Sequence, residues 1–161
     1  MTNGDRRTPM KDHILVVDDD PLVRTGLAQD LEQGGYRVTT AATGADALQL
    51  LQAGPVDLVL CDLMMEGLTG LQLLQEIRRK DPELPVIILT GFASMATAIE
   101  ALRLGATDYV QKPAKTEEIV HRMQTSLTPV RLRRQVVQEH QKAESLRKDL
   151  QESLLRSERM A

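Results

Sequence analysis

Apolar and polar positions along this chain fall into blocks of two kinds. Ile14, Leu15, Val16 and Val17 form a continuous apolar run. A run without polar alternation suits a strand buried on both faces. It stops at Asp18-Asp19-Asp20-Pro21, an acidic turn with proline at the first position of a helix. Leu22, Val23, Leu27 and Leu31 then recur at helical spacing, and Gly34-Gly35 closes that helix. Residues 36–40 predict a second, partly exposed strand. Thr43-Gly44 opens a second helix with Ala47, Leu48, Leu50 and Leu51 on its apolar face, and Gly54-Pro55 ends it. Residues 57–61 predict a third strand, finishing at Asp62. Residues 68–80 predict a third helix carrying Leu71, Leu74 and Ile77 inward. After Asp81-Pro82, residues 85–89 predict a fourth strand ending at Thr90-Gly91. Ser94 caps a fourth helix through Leu104, which Gly105 closes. Residues 108–111 predict a short fifth strand ending at Lys112-Pro113, and residues 117–127 a fifth helix.

Strand and helix thus alternate five times with short connections. That pattern implies an α/β fold, a three-layer, doubly wound parallel sheet with helices on both faces. In such folds the ligand site lies at the carboxyl ends of the strands, where the strand order reverses.

Composition narrows the chemistry. The 161 residues suffice for one domain and an additional segment. A net charge of -3 makes nucleic acid an unexpected partner. Aromatic residues make up only 2%, so the core rests on Leu, Val, Ile, Ala and Met. The single cysteine, Cys61, excludes an internal disulfide and a Cys-rich metal site; inside an apolar run it reads as a small buried hydrophobe. Residues 1–12 are polar without an apolar h-region and read as a disordered leader of a cytosolic chain. No apolar run approaches the ~20 residues of a membrane span.

The strand ends concentrate reactive groups. Asp18 and Asp19 follow the first strand, Asp62 the third, Thr90 the fourth and Lys112 the fifth. Each has a bland alternative: Asp62 or Thr90 as a helix cap, Lys112 as a solvated lysine, Asp20 as the cap of the first helix. In a parallel sheet the five side chains share one edge, and three close carboxylates need a counter-charge. A hard divalent cation such as Mg²⁺ supplies it with oxygen ligands. Lys112 and Thr90 suit phosphoryl oxygens, so the set fits phosphoryl transfer to a carboxylate.

Asp18-Asp19-Asp20 after the first strand, Asp62, Thr90-Gly91, and Tyr109-Val110-Gln111-Lys112-Pro113 resemble the receiver domain of two-component response regulators, over about residues 13–127. The resemblance implies a flavodoxin-like sheet in the order 2-1-3-4-5. It implies that Asp62 accepts a phosphoryl group from a histidine kinase or a histidine phosphotransfer protein. Mg²⁺ would be held by Asp18, Asp19, Asp62 and the Met64 carbonyl. Lys112 would contact the phosphoryl group, Thr90 would move toward it and Tyr109 would turn inward, altering the face of the fourth helix and fifth strand. Glu66 replaces the family's usual proline, Gly70 matches, and Ala114 stands where phenylalanine is common. Met64 and Phe92 lie where the family tunes hydrolysis, and both lack a group to position water. A long-lived phospho-Asp62 is therefore expected. A phosphatase of the haloacid-dehalogenase type shares Asp18-x-Asp20 but wants another acidic pair late in the sheet, and none directly follows Thr90 or Tyr109 at the strand ends. A nucleotide- or flavin-binding domain is disfavoured by the acidic first turn. A receiver that works by protein contacts alone is disfavoured by the complete reacting set.

Residues 130–161 contain neither glycine nor proline. Thr128-Pro129 reads as a helix start or as a kink in a continuing helix. Leu132, Val136, Ala143, Leu146 and Leu150 follow heptad spacing, with Glu139 on the seam and Leu154 shifted by one place. A homodimeric coiled-coil linker over residues 128–161 is the expectation, beside the blander solvated helix. The run from Leu154 to Ala161 resembles the segment before the phosphoacceptor helix of sensor histidine kinases. It points to a kinase core as output, with a DNA-binding or ATPase output as the alternative. His13, His121 and His140 lie in no kinase histidine box, so the chain itself reads as a phosphoacceptor rather than a turnover enzyme.

Overall fold

The computed structural model describes residues 11–160. The expected leader, apart from Lys11 and Asp12, lies outside them. Five strands and five helices follow in strict alternation: β1 (His13–Val17), α1 (Pro21–Gln33), β2 (Arg37–Ala41), α2 (Gly44–Ala53), β3 (Leu58–Cys61), α3 (Gly70–Lys80), β4 (Val86–Thr90), α4 (Met95–Arg103), β5 (Asp108–Gln111) and α5 (Thr116–Arg159). The strands form one parallel sheet in the order β2-β1-β3-β4-β5, a flavodoxin-like arrangement.

The apolar runs explain which strands are central. β1, β3 and β4 are buried almost throughout and take the centre, whereas the more polar β2 and β5 take the edges. Because strand side chains alternate, each strand feeds two layers. Leu15, Val17, Val59, Cys61, Val86 and Ile88 pack with Ala47 of α2, Leu73, Leu74 and Ile77 of α3, and Ala101 of α4. The alternate strand positions face the other side, where Leu27 of α1 and Ile119 of α5 line a cavity with Leu89.

Local chemistry sets the helix ends. Asp20 caps α1, its Oδ1 accepting from the Leu22 N–H at 3.0 Å, with Pro21 at the start. Thr43 caps α2, and Thr69 and Ser94 cap α3 and α4 within reciprocal capping boxes.

The structure adjusts two expectations and decides between the alternatives at a third position. Leu22 does not face the core: it is 84% exposed, while Ala28 and Leu31 are the buried residues of α1. Residue 22 lies in the first turn of α1. Helix α3 begins at Gly70 rather than residue 68, because Thr69 is the N-cap, and Leu73 joins Leu74 and Ile77 inside while Leu71 is only partly buried. At Thr128-Pro129 the continuing helix is the reading that holds, since α5 runs from Thr116 to Arg159 with Pro129 inside it. Extending an existing helix past one missing N–H is easier than nucleating a new one.

The chain divides into two compact units, residues 1–126 and 127–161. The second is helical, and its Leu132, Val136, Leu146, Leu150 and Leu154 are exposed. Among the described residues no helix is long and apolar enough to cross a membrane.

Candidate functional site

The strand order reverses between β1 and β3, so the loops after these strands diverge and leave a crevice. Backbone hydrogen bonds fix the residues that enter it. The Asp62 N–H donates to the Val17 carbonyl at 3.0 Å, and the Lys112 N–H to the Thr90 carbonyl at 2.8 Å. The ladder thus brings together Asp18, Asp62, Thr90 and Lys112, which are up to 94 positions apart in the chain.

Asp18, Asp19 and Asp62 each present a carboxylate oxygen, and these oxygens lie within 4.8 Å of one another. Asp18 is buried, Asp62 half-buried and Asp19 exposed. The Lys112 ammonium donates to Asp18 Oδ2 at 2.7 Å and reaches Asp62 Oδ2 at 3.4 Å. Partial burial works against its charge. The hydrogen bond to Asp18 and the charges of Asp18 and Asp62 outweigh that burial and hold the Lys112 pKa above the ordinary lysine value. Asp18 is further positioned by the Asp20 N–H on its Oδ1 at 2.9 Å, and Arg24 donates to its backbone carbonyl at 2.7 Å. The all-oxygen donor set, open on the Asp19 side, suits a hard divalent cation.

The loop after Asp62 is shaped by two glycines. The Met64 N–H points to Asp62 Oδ1 at 3.4 Å, while the Met64 side chain is exposed. Gly67, with φ +75°, takes the left-handed conformation that a side chain disfavours, and the exposed Glu66 precedes it. At Gly70 a Cβ would collide with the Asp62 carbonyl oxygen and approach Leu63 Cα to 2.9 Å. Glycine therefore lets the start of α3 lie directly against the backbone of Asp62.

Thr90 and Tyr109 have hydrogen-bond partners other than the carboxylates. Thr90 is fully buried, and its Oγ1 accepts from the Phe92 N–H at 3.1 Å. The Tyr109 hydroxyl lies 2.9 Å from Thr97 Oγ1 in the first turn of α4. Ala114 lines an open cavity of ≈510 Å³ beside Lys112, with Leu27, Leu89, Pro113 and Ile119. Reading the sequence did not single out Arg24 or Thr97. Their sole signal is position, one turn after the acidic cluster and three residues after a cap.

Residues 14–124 match the model of the response regulator receiver domain. The chain belongs to this family. Among relatives of this receiver, it is 41% identical over 118 residues to the transcriptional regulatory protein ZraR of Salmonella typhimurium (strain LT2), covering 73% of this chain and 27% of ZraR. It is 39% identical over 117 residues to the uncharacterized transcriptional regulatory protein YkoG of Bacillus subtilis (strain 168), covering 73% of this chain and 51% of YkoG. The chain therefore spans about half or about a quarter of the length of these relatives. A CheY-like receiver from Methanospirillum hungatei JF-1 superposes with a TM-score of 0.70 at 30% identity, covering 73% of this chain and 94% of that one. Receiver domains generally bind Mg²⁺ in an acidic pocket, and the cluster of Asp18, Asp19 and Asp62 has the donor chemistry for it.

Proposed function

We propose that Asp62 is the phosphoacceptor of this receiver. The observation that carries the reading is the Lys112 ammonium set between Asp18 and Asp62 at the strand-order reversal. In the proposed transfer an Asp62 carboxylate oxygen attacks the phosphorus of a phosphohistidine on a histidine kinase or a histidine phosphotransfer protein. A phosphorus–oxygen bond forms as the phosphorus–nitrogen bond breaks. The imidazole leaves with the bond's electron pair and takes a proton from solvent, and Asp62 becomes an acyl phosphate. Lys112 moves from Asp18 to a phosphoryl oxygen, and the Thr90 hydroxyl donates to another. Asp18, Asp19, Asp62 and the Met64 carbonyl would hold Mg²⁺. Bound there, Mg²⁺ supplies positive charge opposite the phosphoryl oxygens. With a small acyl phosphate and Mg²⁺, the wild type gains one phosphoryl group by mass spectrometry and Asp62→Ala gains none. Equal labelling of the two proteins would refute the assignment.

For the output, the relatives favour a transcriptional regulator over the histidine kinase core suggested by residues 154–161: both ZraR and YkoG are named transcriptional regulatory proteins. The signal would pass through α4 and β5 to the tail helix. There Leu132, Val136, Ala143, Leu146 and Leu150 would pair with a second copy of the chain. The gene's continuation discriminates the outputs. A DNA-binding or ATPase domain supports the regulator, and a histidine followed directly by Glu or Asp soon after Ala161 supports the kinase.

A further inference from the structure

The hydroxyl of Thr97 has more neighbours than it can serve. Its Oγ1 lies 3.1 Å from the Ser94 N–H, 2.9 Å from Ser94 Oγ, 3.1 Å from the Ser94 carbonyl and 2.9 Å from the Tyr109 hydroxyl. A hydroxyl offers one proton and two lone pairs. The bond to the Ser94 carbonyl takes the proton, since only Thr97 can donate there. The Ser94 N–H takes one lone pair. A single lone pair then remains for two donors, the hydroxyls of Ser94 and Tyr109.

This arithmetic separates the helix cap from the tyrosine. The Thr97 N–H donates to Ser94 Oγ at 3.1 Å, and the Ser94 N–H donates back, completing the capping box of α4. Neither bond involves Tyr109. If Tyr109 leaves, the Ser94 hydroxyl takes the vacated lone pair and α4 stays capped. The tyrosine is thus held by a bond whose release costs the helix nothing. Helix α4 is loosely seated, with only Ala101 fully buried, so its first turn is a soft place to anchor a moving ring.

We propose that Thr97 is a positioning residue that holds Tyr109 in its resting orientation and so opposes the phosphorylated state of Asp62. The inference rests on the receiver reading. Any group that favours one state of a two-state element disfavours ligands of the other, and the coupling is reciprocal. Removing the Thr97 hydroxyl therefore favours phosphorylation.

The test uses the full chain with acetyl phosphate and Mg²⁺, read by Asp62 labelling and by NMR of the Tyr109 ring. Thr97→Val raises labelling at limiting phosphodonor about fivefold, the factor that one ordinary hydrogen bond supplies. It also moves the unphosphorylated Tyr109 signals toward those of phosphorylated wild type. Thr97→Ser restores the wild-type values. In a Tyr109→Phe background, where the bond is already gone, Thr97→Val changes labelling no further. A Thr97→Val effect of undiminished size in that background overturns the inference and leaves Thr97 a cap alone. So does an unchanged labelling rate in Thr97→Val itself. Equal labelling of wild type and Asp62→Ala overturns the underlying receiver reading instead, a result the Thr97 variants cannot mimic.

Discussion

Gly70 sits where the backbone of α3 touches the backbone of Asp62, and neither partner is a flexible side chain. Gly70→Ala must therefore displace the acceptor loop. An overpacking cost of about 3 kcal/mol is expected, read as a lower denaturation midpoint together with slower Asp62 labelling. Cys61, one residue before the proposed acceptor Asp62, behaves oppositely to a reactive thiol. Burial first, then the charges of Asp62 and Asp18, push its pKa up, against a smaller lowering by Lys112. Alkylation of the native protein should therefore be negligible and should follow unfolding. The sign of the linkage is set by the raised value. The folded thiol keeps its proton while the unfolded one ionises, so stability is full below about pH 8.5 and declines as pH rises beyond it. Denaturant midpoints for wild type and Cys61→Ala at pH 7 and pH 10 measure this, the wild type losing more. Asp18, Asp19, Asp62 and Lys112 were legible as site residues because each closes a strand. Thr97 was not, since only the fold brings Tyr109 to it.

At the scale of elements, Arg78 ties two connections together. From the last turn of α3 it donates to the Gly105 carbonyl at 2.9 and 2.7 Å, to the Leu84 carbonyl at 2.7 Å and to the Asp81 carbonyl at 3.1 Å. It thereby joins the end of α3 to the start of β4 and to the turn after α4. Burial lowers its pKa, and Asp81 partly offsets that effect. Arg78→Ala leaves these carbonyls to water or unsatisfied, and about 2–4 kcal/mol of destabilisation is expected in thermal or denaturant unfolding. The helical pattern located α3, but nothing in it distinguished Arg78 from Arg79, whose side chain is mostly exposed and pairs with Glu76. The tail helix follows a different logic. Its Leu132, Val136, Leu146 and Leu150 are exposed, so the proposed pairing would need a second copy of the chain. Leu146→Asp with Leu150→Asp should convert a dimer to a monomer in sedimentation or light scattering, leaving the far-UV signal of the receiver unit intact.

For the whole molecule, the expected signal is an acyl phosphate that persists. Met64 and Phe92 are exposed at the site's rim, and neither carries a group that orients water for attack. Phospho-Asp62 should therefore decay over minutes or longer in Mg²⁺ buffer. Decay within seconds would contradict this, and Met64→Glu or Phe92→Asn should shorten the lifetime. The alternation of apolar runs, acidic turns and glycine stops determined the five-fold strand–helix repeat, and the residues at the ends of four strands named the candidate site groups. These are local properties: strand burial is written in runs of four or five side chains, and a cap in three or four positions. The order β2-β1-β3-β4-β5 follows no local rule and entered only through the family resemblance. What the tertiary structure alone decided are the contacts between distant segments: Lys112 lies nearer Asp18 than Asp62, Gly70 is packed against the acceptor backbone, Arg78 bridges α3 and the turn after α4, and Tyr109 rests on Thr97. Their distances depend on how helices seat on a twisted sheet, and side-chain packing across the whole core sets that seating.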